Sequence, residues 1–183
     1  YYMGSSGCVE VNGVIVAAAS GIYKSHDYMR GRFERQPYSM GDLRSMYHTR
    51  AFDMTKLALL DRPDIFMSHD WPNGVEQYGD VEELLRKKPF FREEIASGTL
   101  GSPPLQTLLH ELRPAYWFSA HLHVRFAARV VHGHAPSGPN PARTSNPEAL
   151  DLDDLDDESE SHGDTESTKI PPSTTCLLYT SLS

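Results

Sequence analysis

The stretch Tyr116-Trp117-Phe118-Ser119-Ala120-His121-Leu122-His123 joins an apolar, β-prone run to a polar turn that carries two histidines. The same arrangement occurs upstream, where Asp64-Ile65-Phe66-Met67 runs into Ser68-His69-Asp70-Trp71-Pro72. In both places we expect a buried strand to end in a turn that holds histidine. Ligands of open α/β sheets bind outside the carboxyl ends of the strands. The sequence therefore predicts that these three histidines meet at one edge of a sheet.

Hairpin and helix signals surround the two strands. Asn12-Gly13 between two apolar runs predicts a hairpin over about residues 8–19, because both residues tolerate positive φ. A further strand is expected from Val124 to Val131. Helices are predicted at residues 42–61, at residues 80–85 and from Ser102-Pro103 onward. Helices alternating with strands indicate a layered α/β fold.

The net charge of −8 is confined to the C-terminal part of the chain. Residues 1–134 contain as many acidic as basic side chains, so the net charge says nothing about what they bind. Residues 135–183 combine prolines, the acidic run Asp151 to Glu158 and a single aromatic residue, Tyr179. Such a segment buries too little apolar surface to offset its ordering entropy. We therefore predict a disordered acidic tail over residues 135–183, and no structure is assigned to its more apolar end.

Cysteine usage and hydropathy exclude two classes of protein. Cys8 and Cys176 form no disulfide framework and no CxxC motif, which favours a reducing compartment. No apolar stretch approaches the roughly 20 residues of a membrane helix, and no signal peptide is visible, so no membrane partner is predicted. The chain begins at Tyr1 rather than at methionine. We therefore expect it to be a fragment whose upstream part is missing.

Residues 22–50 form a long segment with no sustained periodicity. The segment contains six basic residues, three acidic residues and five aromatic residues. A long irregular segment in a compact domain is usually functional or disordered, and its aromatic content argues against disorder. We interpret it as a functional insertion, with an ordinary solvated surface loop as the alternative.

The histidines suggest a metal centre. Neutral imidazole is a ligand for Zn²⁺, Fe²⁺ and Mn²⁺. In an extended turn, His121 and His123 would point the same way about 6–7 Å apart, which suits two metals about 3.5–4 Å apart. Three histidines are too few for a two-metal centre, which also needs a bridging carboxylate. Asp70 is either a further ligand or a residue that orients the turn, and a merely polar turn remains the alternative to a metal site.

Several sequence motifs occur in an order that resembles a known family. The motifs are YYMG at 1–4, SGIYKSHDY at 20–28, SHDWP at 68–72, FFR at 90–92, TLGSP at 99–103 and YWFSAHLHVRFAA at 116–128. Together they make residues 1–132 similar to the RNA lariat debranching enzymes, which belong to the calcineurin-like metallophosphoesterases. The resemblance implies that residues 1–134 are a partial metallophosphoesterase domain, the C-terminal half of a β-sandwich flanked by helices.

The resemblance also implies an activity and its cofactors. The family hydrolyses the 2′–5′ linkage at the branch point of excised intron lariats, with two divalent metal ions, Fe²⁺, Zn²⁺ or Mn²⁺, at the strand ends. His69 and His121 would bind one metal, and His123 would bind the other. Branched RNA is the implied partner, DNA is not expected, and the nucleus is the implied location.

Residues 22–50 correspond to the lariat-recognition insertion of this family. Its aromatic side chains could stack on unpaired bases and its basic side chains could contact phosphates. The residues that we predict to bind RNA are Tyr23, Lys24, His26, Tyr28 and Arg30.

The chain departs from the family in what it lacks. The upstream ligand motifs are absent, including the histidine that would protonate the leaving oxygen, so no catalytic residue is assigned in this chain. We therefore expect the chain alone to be inactive. Two alternatives remain: a metallophosphoesterase acting on a different phosphodiester, or a non-catalytic RNA-binding module. The sequence leaves the metal identity and the oligomeric state open.

Overall fold

The computed structural model describes residues 2–132 and 175–180. The strands are β1 (Ser6–Val11), β2 (Val14–Ala19), β3 (Ile65–Ser68), β4 (Tyr116–Ser119), β5 (Ala127–Val131) and β6 (Thr175–Thr180). The α-helices are α1 (Ser25–Tyr28), α2 (Met40–Ser45), α3 (Ala51–Ala58), α4 (Val81–Lys87), α5 (Arg92–Ser97) and α6 (Pro103–Leu112). Short 3₁₀ helices span Val75–Tyr78 and Pro89–Phe91.

The six strands form one mixed sheet in the order β1-β2-β3-β4-β6-β5. The four inner strands are parallel, and the two edge strands, β1 and β5, run antiparallel to their neighbours. In the parallel set, Ala19, Ser68, Ser119 and Thr180 lie in register at the carboxyl ends. The predicted α/β class is confirmed, and both histidine turns leave the sheet at this edge.

The predicted hairpin is confirmed by its turn. Asn12 and Gly13 have φ values of 51° and 80°, and Val11 pairs with Val14 across them. Two successive residues with positive φ define the type I′ turn, whose twist matches that of the flanking strands.

The single helix predicted over residues 42–61 is wrong, because the structure has two helices, α2 and α3, with a break between them. In the break, the backbone N–H of Ile22 donates to Tyr47 O at 3.0 Å, and Thr49 N–H donates to Ile22 O at 2.9 Å. Pairing with a distant segment replaces the helical hydrogen bonds there, and helical periodicity carries no signal of that competition.

The disorder predicted for residues 135–183 is wrong for Thr175–Thr180. These residues form β6, which lies between β4 and β5 and buries Cys176 and Leu178 completely. A short run of β-prone residues suits a buried strand, but its signal is lost in the composition of the acidic segment around it. The rest of the predicted tail, residues 135–174 and 181–183, lies outside the described residues.

The sheet has one buried face and one exposed face. Ala17, Phe66, Trp117 and Leu178 lie side by side on the buried face, where Phe66 stacks on Trp117 with ring centroids 4.0 Å apart. On the opposite face, four large apolar side chains are 40–44% exposed: Met67, Tyr116, Phe118 and Tyr179. Among the described residues, no helix combines the length and apolar character needed to cross a membrane.

His132, directly after β5, is a buried histidine at the base of the sheet. Its ring packs edge-on against His110, with centroids 5.9 Å apart, and among the described residues neither ring nitrogen has a hydrogen-bond partner. Burial, reinforced by the charges of His110 and Arg113, lowers the pKa of His132 to about 4.

We expect this burial to make the protein sensitive to acid. Above pH 6.5 the ring of His132 is neutral in both the folded and the unfolded chain, so its burial has no protonation cost. As the pH falls towards and through the folded-state pKa of about 4, the unfolded chain binds a proton that the folded chain does not, and stability is lost. Between pH 7 and pH 4.5 the free energy of unfolding should fall by about 2–3 kcal/mol through this group. Urea unfolding of the protein and of its H132L variant measures this fall. The variant should lose this part of the pH dependence, whereas H26A, at an exposed histidine, should keep it.

Candidate metal centre and adjoining basic insertion

The two histidine turns are bonded to each other at the edge of the sheet. Ala120 N–H donates to His69 O at 3.1 Å, and Trp71 Nε1–H donates to Ala120 O at 2.9 Å. The turn after β3 and the turn after β4 therefore form one unit, although they lie about fifty residues apart in the sequence.

A pair of buried serine hydroxyls lies directly beneath the turns. Ser68 Oγ and Ser119 Oγ are 2.9 Å apart, and Trp117 Nε1–H donates to Ser68 Oγ at 2.9 Å. Ser68 Oγ also donates to Asp70 O at 2.6 Å. No role is predicted for these serines from the sequence; the available signal was the serine that precedes each histidine turn, at the same register position in the two strands.

His69 and His121 contact each other. His69 Nε2 and His121 Nδ1 are 3.2 Å apart, and the ring centroids are 5.0 Å apart. Imidazole nitrogens bind zinc at about 2.0–2.1 Å, so two ligands of one tetrahedral or octahedral ion lie about 3 Å apart. The spacing of the two nitrogens therefore fits a shared metal ion.

The turn that carries His121 and His123 differs from the extended turn predicted from the sequence. Both residues adopt left-handed conformations, with φ values of 59° and 47°. Left-handed backbone at a residue other than glycine costs about 1–3 kcal/mol and is found where surrounding structure fixes a functional turn. The alternation of an extended strand therefore does not set the directions of these two side chains.

The electrostatics of the site keep His69 neutral. Its pKa is lowered from the ordinary value, first by burial and next by nearby His121, with a smaller contribution from His123 in the same direction. Asp70 opposes this shift. Neutral imidazole is the form that binds a metal ion. His123, the third predicted histidine, therefore lies within electrostatic range of His69.

Asp70 orients the turn. Its carboxylate is 5% exposed and accepts two backbone hydrogen bonds, from Trp71 N–H at 2.9 Å and from Tyr23 N–H at 3.0 Å. Both oxygen atoms are therefore engaged by the protein itself. Of the two roles that the sequence left open for Asp70, these contacts favour orientation over metal binding.

A second cluster of ligand-type residues lies in the basic insertion. Within the described part of the chain, His26, Asp27 and His48 form the one group of three whose ligand atoms all lie within 4.8 Å of one another. His48 Nδ1–H donates to Asp27 at 2.7 Å, and Arg30 Nη1–H donates to Asp27 at 3.2 Å. Arg50 Nη1 lies 3.8 Å from the same carboxylate. Two guanidinium groups beside the carboxylate repel a further cation, so this cluster fits a hydrogen-bonded hub better than a metal site.

The five residues predicted to bind RNA occupy different environments. Tyr23 and Tyr28 are partly buried and meet edge to face, with centroids 5.5 Å apart. Lys24 and His26 are exposed. Arg30 is exposed but bonded to Asp27, and its guanidinium lies over the ring of Phe33 at 3.8 Å.

The insertion also borders a cavity of about 380 Å³. It is lined by Tyr28, Met29, Arg30, Gly31, Arg32, Arg50, Ala51, Phe52 and Asp53. Phe52 is 76% exposed at this position. Arginine and exposed aromatic side chains together provide the contacts on which unpaired bases and phosphates bind.

The mixed α/β sheet has neighbouring histidine turns at the carboxyl ends of its parallel strands, and the known proteins that the chain resembles imply a metallophosphoesterase fold. The chain is 55% identical over 133 residues to the lariat debranching enzyme of Schizosaccharomyces pombe. The matched region covers 72% of this chain and 29% of that enzyme. It is 52% identical over 136 residues to the lariat debranching enzyme of Drosophila melanogaster, and this match covers 74% of this chain and 26% of the relative. It is 49% identical over 152 residues to the human lariat debranching enzyme, or 82% of this chain and 28% of the relative.

These similarities make the chain homologous to one part of the lariat debranching enzymes, as the sequence motifs indicated. The chain spans about a quarter to a third of the length of the curated relatives that it matches. No protein-family model matches it.

Proposed function

We propose that this chain is part of a metal-dependent phosphodiesterase that hydrolyses the 2′–5′ branch linkage of intron lariat RNA. The observation that carries the proposal is the contact between His69 and His121 at the carboxyl edge of the sheet, within a chain about half identical to lariat debranching enzymes. The branched substrate comes from the names of these relatives. The nuclear location implied by the resemblance stays a prediction.

The residues of the chain have distinct roles in this proposal. His69 and His121 would hold one metal ion, and His123 would help to hold a second. Such ions, when bound, would activate the nucleophile and neutralise charge on the phosphate. Ser68 and Ser119 fix the two strand ends beneath the ligands. Asp70 orients the first turn, and the hydrogen bond from Tyr23 keeps the start of the insertion next to that turn.

The insertion would bind the RNA around the branch. Exposed Lys24 directly follows Tyr23 and exposed His26 lies three residues after it, so both belong to the start of the insertion, which is bonded to the ligand turn through Tyr23. Arg30 and Tyr28 border the cavity, where an unpaired base can stack and its phosphate can pair with arginine. Proteins that bind unpaired nucleic acid combine basic side chains that contact the backbone with aromatic side chains on which the bases stack.

The test compares branched with linear RNA in the full-length protein, with and without a chelator. Chelator-sensitive cleavage restricted to branched RNA supports the proposal. Chelator-sensitive cleavage of linear RNA would indicate another metallophosphoesterase, and binding without cleavage would indicate an RNA-binding module.

We expect the 183-residue chain alone to show no debranching activity. Three histidines do not complete a two-metal centre, which needs a bridging carboxylate and further ligands. The exposed apolar face that carries Met67, Tyr116, Phe118 and Tyr179 should also drive self-association. The measurements are a debranching assay and light scattering of the purified chain beside the full-length protein. A rate within about tenfold of the full-length rate, a difference of only about 1.4 kcal/mol in the barrier, would contradict this expectation.

A further inference from the structure

One buried carboxylate connects segments that lie far apart in the sequence. Asp70 Oδ1 accepts from Trp71 N–H at 2.9 Å within the histidine turn, and Asp70 Oδ2 accepts from Tyr23 N–H at 3.0 Å, 47 residues away. The side chain is 5% exposed. Hydrogen bonds that a buried carboxylate accepts from backbone amides are among the strong ones, because one partner is charged.

The insertion end of this connection is rigidly held. Ile22, next to Tyr23, pairs through both backbone groups with Tyr47 O at 3.0 Å and Thr49 N at 2.9 Å. A Cβ atom at Gly21 would clash with the backbone oxygen of Tyr47, so the two segments pass in direct backbone contact. A bond to Tyr23 therefore fixes the start of the whole insertion.

The other end of the connection reaches both histidine turns. Asp70 O accepts from Ser68 Oγ at 2.6 Å, and the next residue, Trp71, donates through its ring to Ala120 O at 2.9 Å. Displacing Asp70 would disturb the turn that carries His69 and, through Trp71, the turn that carries His121.

We propose that Asp70 is a positioning residue that holds the RNA-recognition insertion in a fixed place beside the metal-binding histidines. The inference rests on the proposed function, since it specifies how the binding segment is aligned with the hydrolytic site. Asp70 touches neither substrate nor metal in this role; it acts through the backbone of Tyr23.

The chain offers a matched control at the other end of the same strand. Asp64, directly before β3, accepts from Ile15 N–H at 2.8 Å, which is the same carboxylate-to-amide bond between neighbouring segments. Asp64 is exposed and lies at the edge of the sheet opposite the histidines. Loss of its bond should not reach the insertion.

The first experiment measures amide hydrogen exchange in the full-length protein and in its D70N and D64N variants. D70N should speed exchange of the amides at residues 22–24 by about tenfold, because the charged acceptor is replaced by a neutral amide. D64N should leave those amides unchanged. Unchanged exchange at residues 22–24 in D70N overturns the proposal, whether or not the protein debranches RNA.

The second experiment separates binding from chemistry on branched RNA. D70N should raise KM about tenfold and lower kcat by less than about threefold, with the metal content of the protein unchanged, because the oxygen of the amide side chain can still accept from Trp71 N–H and hold the ligand turn. If D70N instead loses metal and lowers kcat while KM is unchanged, Asp70 only stabilises the ligand turn, and the proposal that it positions the insertion is overturned. If the wild-type protein debranches no RNA, the proposed function fails while the exchange result still decides the link.

A pair of variants at Tyr23 covers the case in which D70N fails to fold. Y23P removes the donating N–H and leaves Asp70 in place, whereas Y23A removes the ring and keeps the N–H. Proline is compatible with an extended preceding residue such as Ile22. The proposal requires that Y23P raise KM about tenfold more than Y23A does, and equal effects of the two variants overturn it.

Discussion

Replacing His121 with alanine in the full-length protein should lower kcat/KM on branched RNA by about 10³-fold, through loss of one metal ligand. His69→Ala should have an effect of similar size. The nitrogens of the two rings are 3.2 Å apart, so in the proposed site each histidine would complete the coordination of the same ion. The double variant should therefore be no worse than either single variant, because residues that act as a unit have strongly non-additive effects.

The measurement pairs steady-state kinetics with the metal content of each purified variant. The matched control is H110A, at an exposed histidine on α6 remote from the two turns. It should keep the wild-type rate and metal content. Multiplicative effects of H69A and H121A, or full metal content in both, would show that the two rings do not share an ion.

The pairing of the two histidine turns could be predicted from the sequence. Each turn follows a short apolar strand, and parallel strands place their carboxyl ends at one edge of the sheet. The structure has β3 and β4 as neighbours, with Ser68 opposite Ser119. Local hydrophobicity and one general rule of sheet topology were therefore enough to bring His69 and His121 together.

The backbone conformation of the second turn could not be predicted in the same way. His121 and His123 have positive φ, a conformation that sequence normally signals with glycine or asparagine. Here the hydrogen bonds to the first turn and the packing of Leu122 against the core hold it. A conformation imposed by tertiary contacts leaves no mark in the local sequence.

The same limit explains the break between α2 and α3. The residues between these helices have ordinary helical propensity, yet their backbone pairs with Ile22. The prediction missed strand β6 for a different reason. Its six β-prone residues were judged together with the acidic segment before them, whose composition dominates residues 135–183. Sequence periodicity indicates the secondary structure that a segment favours in isolation. Both errors occur where pairing with a distant segment determines the secondary structure instead.

The buried hub of the insertion is the largest feature that sequence reasoning missed. Asp27 is 3% exposed and accepts from His48 at 2.7 Å and Arg30 at 3.2 Å. The Arg50 side chain donates to the backbone oxygen of Asp27 at 2.7 Å and to Glu34 at 2.5 Å. The partners are separated by irregular sequence, so no spacing reveals them. The hydrogen bond from His48 holds the pKa of Asp27 below its ordinary value.

Replacing Asp27 with alanine should therefore destabilise the full-length protein by about 3–5 kcal/mol, because it leaves buried His48 without its hydrogen-bond partner and removes one of the two carboxylates beside buried Arg50. The control is D53N at the more exposed Arg32–Asp53 pair, 3.0 Å apart, where the loss should stay below about 1 kcal/mol. Urea unfolding at pH 7 measures both. The Asp27 contribution is present above its unfolded pKa near 3.8 and is lost as the pH falls through the lower folded value. A loss in D27A no larger than that in D53N would mean that the hub is not what holds the insertion in shape.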